Sequence, residues 1–202
     1  MKTNIDYWDK FYSGVDFKLK IPSQFAAFVA MEYLDKVNTI IDIGCGNGRD
    51  SAFFSSLGFK VIGIDASKKA LEQIKKNSYV NTKFFVGDIS DKTLRDILKK
   101  NMSFEGKNLI YSRFFLHAIT DKIEEDFWNL ANSLTSKGDF IALEFRTEKD
   151  EKLIKSTPDH YRRFVSSKDV VKRASNFSFM CDYQIEGFGY AKYKNDNAHV
   201  SR

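Results

Sequence analysis

Cysteine is scarce in this 202-residue chain, which has only Cys45 and Cys181. Two cysteines and three histidines make neither a disulfide framework nor a zinc-type ligand set, so no metal site is expected. Proline is as rare, with Pro22 and Pro158 alone, and no linker or low-complexity tract interrupts the chain. No apolar run approaches the roughly 18 residues that a membrane helix needs. The opening stretch MKTNIDYWDKFYSG lacks the apolar centre of a secretory signal. A reducing cytoplasm, with no membrane partner, is the expected setting. Arginine is sparse too: 8 of the 32 basic residues, in a net charge of +5. The dispersed lysines read as a solvated surface rather than a concentrated nucleic-acid stripe. What remains is ordinary globular composition, 43% hydrophobic and 29% charged, which excludes disorder, collagen and a coiled coil as whole-chain readings. The length fits one domain with a substantial core.

Four β-branched or apolar runs follow one logic. Thr39 to Ile43 stops at a glycine, Lys60 to Asp65 ends in an acid, Thr82 to Val86 precedes Gly87-Asp88, and Lys107 to Tyr111 is the fourth. Asp42, Asp65, Asp88 and Tyr111 are spaced 23 residues apart, room for a strand, a helix of about three turns and two loops. Helices are expected over Arg49 to Leu57 with Gly58 as a stop, Lys68 to Lys76 behind Ser67, Lys92 to Lys100 behind Asp91, and Ile123 to Leu134 behind Asp121. A fifth strand is expected at Asp139 to Phe145, a helix at Lys168 to Asn176 behind Ser167, and a sixth strand at Phe179 to Glu186. Alternating strands and helices, with strands apolar throughout, predict an α/β fold whose mainly parallel sheet is covered on both faces. Residues 1–35, with Tyr7, Trp8, Phe11 and Tyr12 at helical spacing, read as a helical cap of the same domain, and 36–202 as its main body.

The loop Asp42-Ile-Gly44-Cys-Gly46-Asn-Gly48 falls where the first strand turns into a helix. In open α/β sheets, ligands bind at the carboxyl ends of the strands, near the switch in strand order. Glycines let backbone amides approach a ligand closely, and a helix N-terminus adds partial positive charge. Asp65, ending strand two, can accept both hydroxyls of a ribose. Asp88, after strand three, can accept from an adenine amino group. Together these features point to an adenosine-type ligand.

The set Asp-Ile-Gly-Cys-Gly-Asn-Gly, Gly-Ile-Asp65 and Val-Gly-Asp88-Ile resembles the class I S-adenosylmethionine-dependent methyltransferases over roughly residues 36 to 186. Its spacing, G-x-G-x-G, differs from the dinucleotide fingerprint. The resemblance implies a Rossmann-like, doubly wound sheet of seven strands, the seventh antiparallel, with helices on both faces. It implies S-adenosylmethionine as cofactor and S-adenosylhomocysteine as product. Gly44, Gly46 and Gly48, with Cys45 and Asn47 between them, would line the methionine part, and Asp42 would orient its amino group. Asp65 would bind the ribose and Ala66 pack on the adenine. Gly87, Asp88 and the Ile89 amide would read the adenine edge, and Ser112 would face cofactor and substrate. The resemblance places the last strand after Asn195-Asp-Asn197, where few residues follow, so an incomplete strand at the sheet edge is expected.

Methyl transfer from a sulfonium is an in-line displacement, so the protein mainly aligns donor and acceptor and excludes water. A base is needed only when the nucleophile arrives protonated. After strand four the chain reads Tyr111-Ser-Arg-Phe-Phe-Leu-His117, without the Pro-Pro-Tyr type of signal that accompanies methylation of base amines. Its leucine-histidine pair resembles small-molecule O-methyltransferases, which makes His117 the candidate base; a core or helix-terminus histidine fixed by a backbone carbonyl is the alternative. Four of the eight arginines, Arg113, Arg146, Arg162 and Arg163, fall on loops expected to flank the substrate, and arginine suits phosphate or carboxylate. Pairing with nearby acids such as Glu144 or Asp159 is the alternative for each. The stretches from Glu144 to Asp150 and from His160 to Phe164 resemble methyltransferases of bacterial surface-polysaccharide pathways. That resemblance implies a small anionic or carbohydrate acceptor, such as a capsule intermediate or a phosphoramidate, touched by Tyr12, Glu144, His160 and Tyr161 besides the arginines and His117. Two other readings stand beside this one: an RNA or tRNA methyltransferase, and a domain that binds cofactor or partner without turnover.

Overall fold

The computed structural model describes residues 4–14, 21–74, 80–102, 106–155 and 160–202. The expected positions Lys75, Lys76 and Asp159 lie outside them. Seven strands form one sheet: β1 (Thr39–Ile43), β2 (Lys60–Asp65), β3 (Thr82–Val86), β4 (Asn108–Arg113), β5 (Phe140–Arg146), β6 (Glu186–Tyr193) and β7 (Asp196–Ser201). Their order is β3-β2-β1-β4-β5-β7-β6. Strands β1 to β5 pair in parallel, while β7 runs antiparallel to both neighbours. The expected fold class holds, with two corrections. Strand β7 is not an incomplete edge; it lies between β5 and β6 with Ala198 and Val200 fully buried. The sixth strand begins at Glu186, not Phe179. The alternation over 177–179 reflects Phe177 and Phe179 packing on Trp128, with ring centroids 6.3 and 6.1 Å away.

The helices are α1 (Asn4–Gly14), α2 (Gln24–Tyr33), α3 (Arg49–Ser56), α4 (Lys68–Ile74), α5 (Lys92–Asn101), α6 (Asp121–Leu134) and α7 (Ser167–Asn176). Ser23, Ser67 and Asp91 accept first-turn amides and start α2, α4 and α5. The caps of α6 and α7 are Thr120 and Ser166, each one residue before the expected Asp121 and Ser167. Alternation along the strands divides the core. Ile40, Val61 and Leu109 pack with Phe25, Val29 and Phe54 on one face. Ile41, Ile62 and Ile110 pack with Leu98, Phe127 and Trp128 on the other. Each such buried side chain contributes about 1.5–3 kcal/mol, which makes the sheet a rigid platform for the loops at its carboxyl ends. No helix among the described residues is long and apolar enough to cross a membrane.

Candidate active site

The strand order reverses beside β1, whose neighbours are β2 and β4, and the glycine loop leaves β1 at that switch. Gly44, Gly46 and Gly48 all adopt left-handed backbone, with φ of 77°, 56° and 73°. Close approach matters as much as φ. A Cβ on Gly46 would stand 2.2 Å from the Tyr12 hydroxyl, and one on Gly44 would stand 2.6 Å from the Phe115 ring. The amide of Gly46 donates to Asp65 Oδ2 and that of Ser67 to Asp65 Oδ1, each at 2.8 Å. The acid at the end of β2 is thereby held against the loop that follows β1. Burial raises the Asp65 pKa, the two amides oppose that, and the nearby Asp9 adds to it.

Asp42 is 2% exposed and accepts a 2.6 Å hydrogen bond from Ser51 Oγ. Burial pushes its carboxyl up to about 8; Ser51 and Arg49 oppose this, while Asp50 and Asp65 reinforce it. Burial also pushes the half-buried Cys45 thiol well up, with Asp42 and Asp65 adding to the effect. Asn47 and Ala66 are half-buried beside these groups. At the end of β3, Gly87 donates to the Asp65 carbonyl at 3.0 Å, while Asp88 Oδ1 accepts from the Ser90 amide and hydroxyl. Ile89 turns into the core. Ser112 is buried and donates to the Ile43 carbonyl at 2.8 Å, tying β4 to β1. Its one hydroxyl proton is thus engaged with the scaffold.

Helix α1 lies across this site. Its Asp9 accepts from Ser67 Oγ at 2.6 Å and from the Lys69 amide at 3.1 Å, bridging α1 to the start of α4. Tyr12 packs with Ala70, Leu71 and Ile74 of α4, and burial and nearby carboxylates push its phenol pKa up. Tyr7 and Trp8 hold His160 between them, with ring centroids 4.5 and 5.0 Å away. Helix α1 thus contacts both the start of α4 and His160. Asp50, in the first turn of α3, reaches beyond its own helix. It accepts from Ser23 N, Ser23 Oγ and Tyr111 Oη at 2.8, 2.7 and 2.8 Å, fixing α2 to the start of α3. Nothing in the local sequence around Asp9 or Asp50 signals these distant partners.

His117 sits in a short 3-10 turn after β4 (Leu116–Ala118) and is buried. The Arg146 amide donates to its Nδ1 at 3.2 Å, so the ring proton resides on Nε2. Burial, together with Arg146, Arg162, His160 and Arg113, holds its pKa well below the usual histidine range. The ring is neutral and, in this tautomer, a donor rather than a base at Nε2. Phe114 beside it has φ 57°, a strained conformation for a non-glycine residue. The Arg113 guanidinium stands 4.1 Å and that of Arg146 5.3 Å from its ring centroid. Sequence reasoning passed over Phe114, since a left-handed aromatic residue carries no sequence signal.

The arginines separate into two groups. Arg163 bonds Asp121, Glu124 and the Leu116 carbonyl, which makes it an anchor of its loop on α6. Arg146, which is buried, grips Asp150 at 2.6 Å and Asp196 at 2.5 Å. Glu144 is 1% exposed and holds Arg113 and Arg202, both at 2.8 Å. Glu144, Arg146 and Arg163 are thus engaged in internal pairs, the alternative that the sequence left open for the arginines. Arg113 keeps a fifth of its side chain exposed and Arg162 is half-buried, while Tyr161 is 47% exposed.

Residues 34–187 match the family described as "Methyltransferase domain". The chain belongs to this methyltransferase-domain family. Over 174 residues it is 28% identical to "Putative methyltransferase 235L" of Invertebrate iridescent virus 6, a match that covers 81% of this chain and 60% of the viral protein. The chain thus spans about 60% of the length of that relative. Solved structures share the fold, two of them as follows. A SAM-dependent methyltransferase from Anabaena variabilis ATCC 29413 has a TM-score of 0.75 at 19% identity, covering 100% of this chain and 93% of that one. The glycopeptide N-methyltransferase MtfA complexed with S-adenosyl-L-methionine has a TM-score of 0.64 at 14% identity, covering 92% and 95%. In this methyltransferase domain the family match spans all three features at the ends of β1, β2 and β3.

Proposed function

We propose that the chain is the catalytic domain of an S-adenosylmethionine-dependent methyltransferase. The observation that carries this reading is the Asp65 carboxylate, fixed by two backbone amides against three left-handed glycines at the switch point. A carboxylate has about four lone-pair sites, so Asp65 can accept the ribose hydroxyls as well. The residues fit the cofactor's chemistry: apposed backbone for the methionine part, a buried acid at Asp42 for its ammonium, and Asp88 with the Ile89 amide for the adenine edge. Bound there, the cofactor supplies the electrophilic methyl group. Family membership and the two S-adenosylmethionine enzymes of the same fold support the assignment.

The acceptor proposed is a small anionic or carbohydrate oxygen nucleophile, of the kind found in surface-polysaccharide intermediates, phosphoramidates included. Arg113 and Arg162 supply positive charge beside His117, where an anion gains most. An acceptor already anionic needs no base. His117 then orients it through Nε2–H, and Phe114 keeps the turn in place. Helix α1 and His160 exclude water. An N-methyltransferase shares the fold, so nitrogen acceptors form the second reading.

The test is conversion of S-adenosylmethionine to S-adenosylhomocysteine against nucleotide sugars, phosphoramidates, free sugars, small amines and bulk tRNA. Turnover on a phosphoramidate or an acidic sugar supports the proposal. Turnover on tRNA or amines alone would overturn its acceptor class.

A further inference from the structure

Asp42 is the least solvated acid of the glycine-loop site and the one whose charge is poorly matched. It stands on β1 between β2 and β4, opposite Gly63 and Tyr111 in register, and its carboxyl meets Ser51 of α3. Among the described residues, Ser51 gives its only side-chain hydrogen bond, and no basic side chain forms an ion pair with it. Two of the groups that face it, Asp50 and Asp65, are carboxylates. From α3 come Asp50, Arg49 and Ser51; from β2, Asp65; from the loop, Cys45; from β4, Tyr111; and from α1, Tyr12. Asp50 is already committed to Ser23, Tyr111 and Arg49, and Asp65 to Gly46 and Ser67. Arg49 is the one cation in that list, and its guanidinium bonds Asp50 at 3.2 Å, leaving Asp42 without a partner of opposite charge. A buried carboxyl in such company favours its neutral form.

We propose that Asp42 stays protonated until the cofactor arrives and releases its proton to solvent as the cofactor's cationic ammonium enters, making cofactor binding proton-linked. The inference rests on the reading that the glycine loop holds S-adenosylmethionine. The physical step is simple. An opposite charge brought within a few ångströms lowers a carboxyl pKa by about 1–3 units. With the carboxyl pushed up to about 8 beforehand, that shift carries its titration across neutral pH. The O–H bond of Asp42 breaks, the proton passes to buffer, and an ammonium–carboxylate pair replaces a neutral acid. Asp42 then acts as a selectivity element, since an uncharged ligand of the same shape gains no such pair.

The experiment is calorimetric titration of the protein with S-adenosylmethionine at pH 7 in buffers of different ionisation enthalpy, which counts protons released. The wild-type protein is expected to release roughly half to one proton per cofactor at pH 7, a release that shrinks and gives way to uptake as the pH rises past about 8, where Asp42 is already ionised and the free amine is not. In Asp42→Asn the release vanishes; an α-amino group has a pKa of about 8, so at pH 7 the cofactor's own is already mostly protonated and takes up little. Infrared difference spectra of the wild-type protein give the same answer without a variant, as loss of a protonated-carboxyl band on cofactor addition. Ser51→Ala, which removes the bond that favours the ionised form, should move the release to higher pH. Binding with equal proton release in wild type and Asp42→Asn, or with no loss of the carboxyl band, overturns the inference alone. Absence of binding overturns the cofactor reading and this inference with it.

Discussion

The backbone amide of Gly46 donates to the carboxylate of Asp65 at 2.8 Å, joining the loop after β1 to the end of β2. Loop and acid therefore move as one piece, and a change at either is felt at the other. The same loop is overlain by Tyr12 of α1, so the scaffold and its cap meet at Gly46.

Gly46→Ala tests that meeting point. The new Cβ would stand 2.2 Å from the Tyr12 hydroxyl, on backbone with φ 56°. Left-handed backbone alone costs an alanine about 1–2 kcal/mol. Denaturant melts should show at least that loss, and amide exchange in α1 should rise. The Tyr12→Phe background, which removes the clashing oxygen, should recover part of the loss. Equal losses in both backgrounds would mean that α1 is not held against the loop.

Glu144→Gln probes the internal pairs. Glu144 is buried between Arg113 and Arg202, and its neutralisation leaves two guanidinia without their carboxylate. Breaking a buried pair in this way costs about 3–5 kcal/mol. Thermal unfolding should record a large drop. A stability near that of the wild type, with a raised acceptor KM instead, would return Glu144 to the substrate site.

His117→Gln separates a donor from a base. Glutamine can offer an N–H near the position of Nε2, so a donor role keeps turnover within about tenfold of wild type, whereas loss of a general base typically costs 10²–10⁴-fold. The stability effect has a definite sign. Burial holds the His117 pKa below its unfolded value, so the unfolded chain binds the extra proton. The histidine's contribution is complete above about pH 6.5 and falls away as pH drops below that. Melting curves of the glutamine variant should lack this component of the acid sensitivity; identical curves would contradict the burial of a neutral ring.

Much of this architecture is legible in the sequence, for identifiable reasons. The bounds of β1, β2 and β3 follow the apolar runs to the residue; β1 and the middle of β2, covered on both faces, are apolar for that reason, while β3 at the sheet edge is only partly buried. The glycine loop, Asp65 and Asp88 stand out because their spacing repeats with the βα unit. The C-terminal hairpin does not stand out. Strand β6 carries Gly187 and Gly189, which weaken a strand signal, while the aromatic residues before it pack on Trp128 outside the sheet. The arginines mislead for another reason. Whether Arg146 meets a substrate or Asp196, fifty residues away, depends on tertiary contacts that spacing does not encode. The same holds for Arg163 with Glu124.

The central claim is that the glycine loop and Asp65 form an S-adenosylmethionine site. Titrating the wild-type chain and Asp65→Ala with S-adenosylmethionine in a calorimeter tests it most directly. Hydrogen bonds to a charged acceptor contribute about 1.5–3 kcal/mol, so the variant should bind about ten- to a hundredfold more weakly while remaining folded by circular dichroism. Equal affinity in the two folded proteins, or no binding to the wild type, would contradict it.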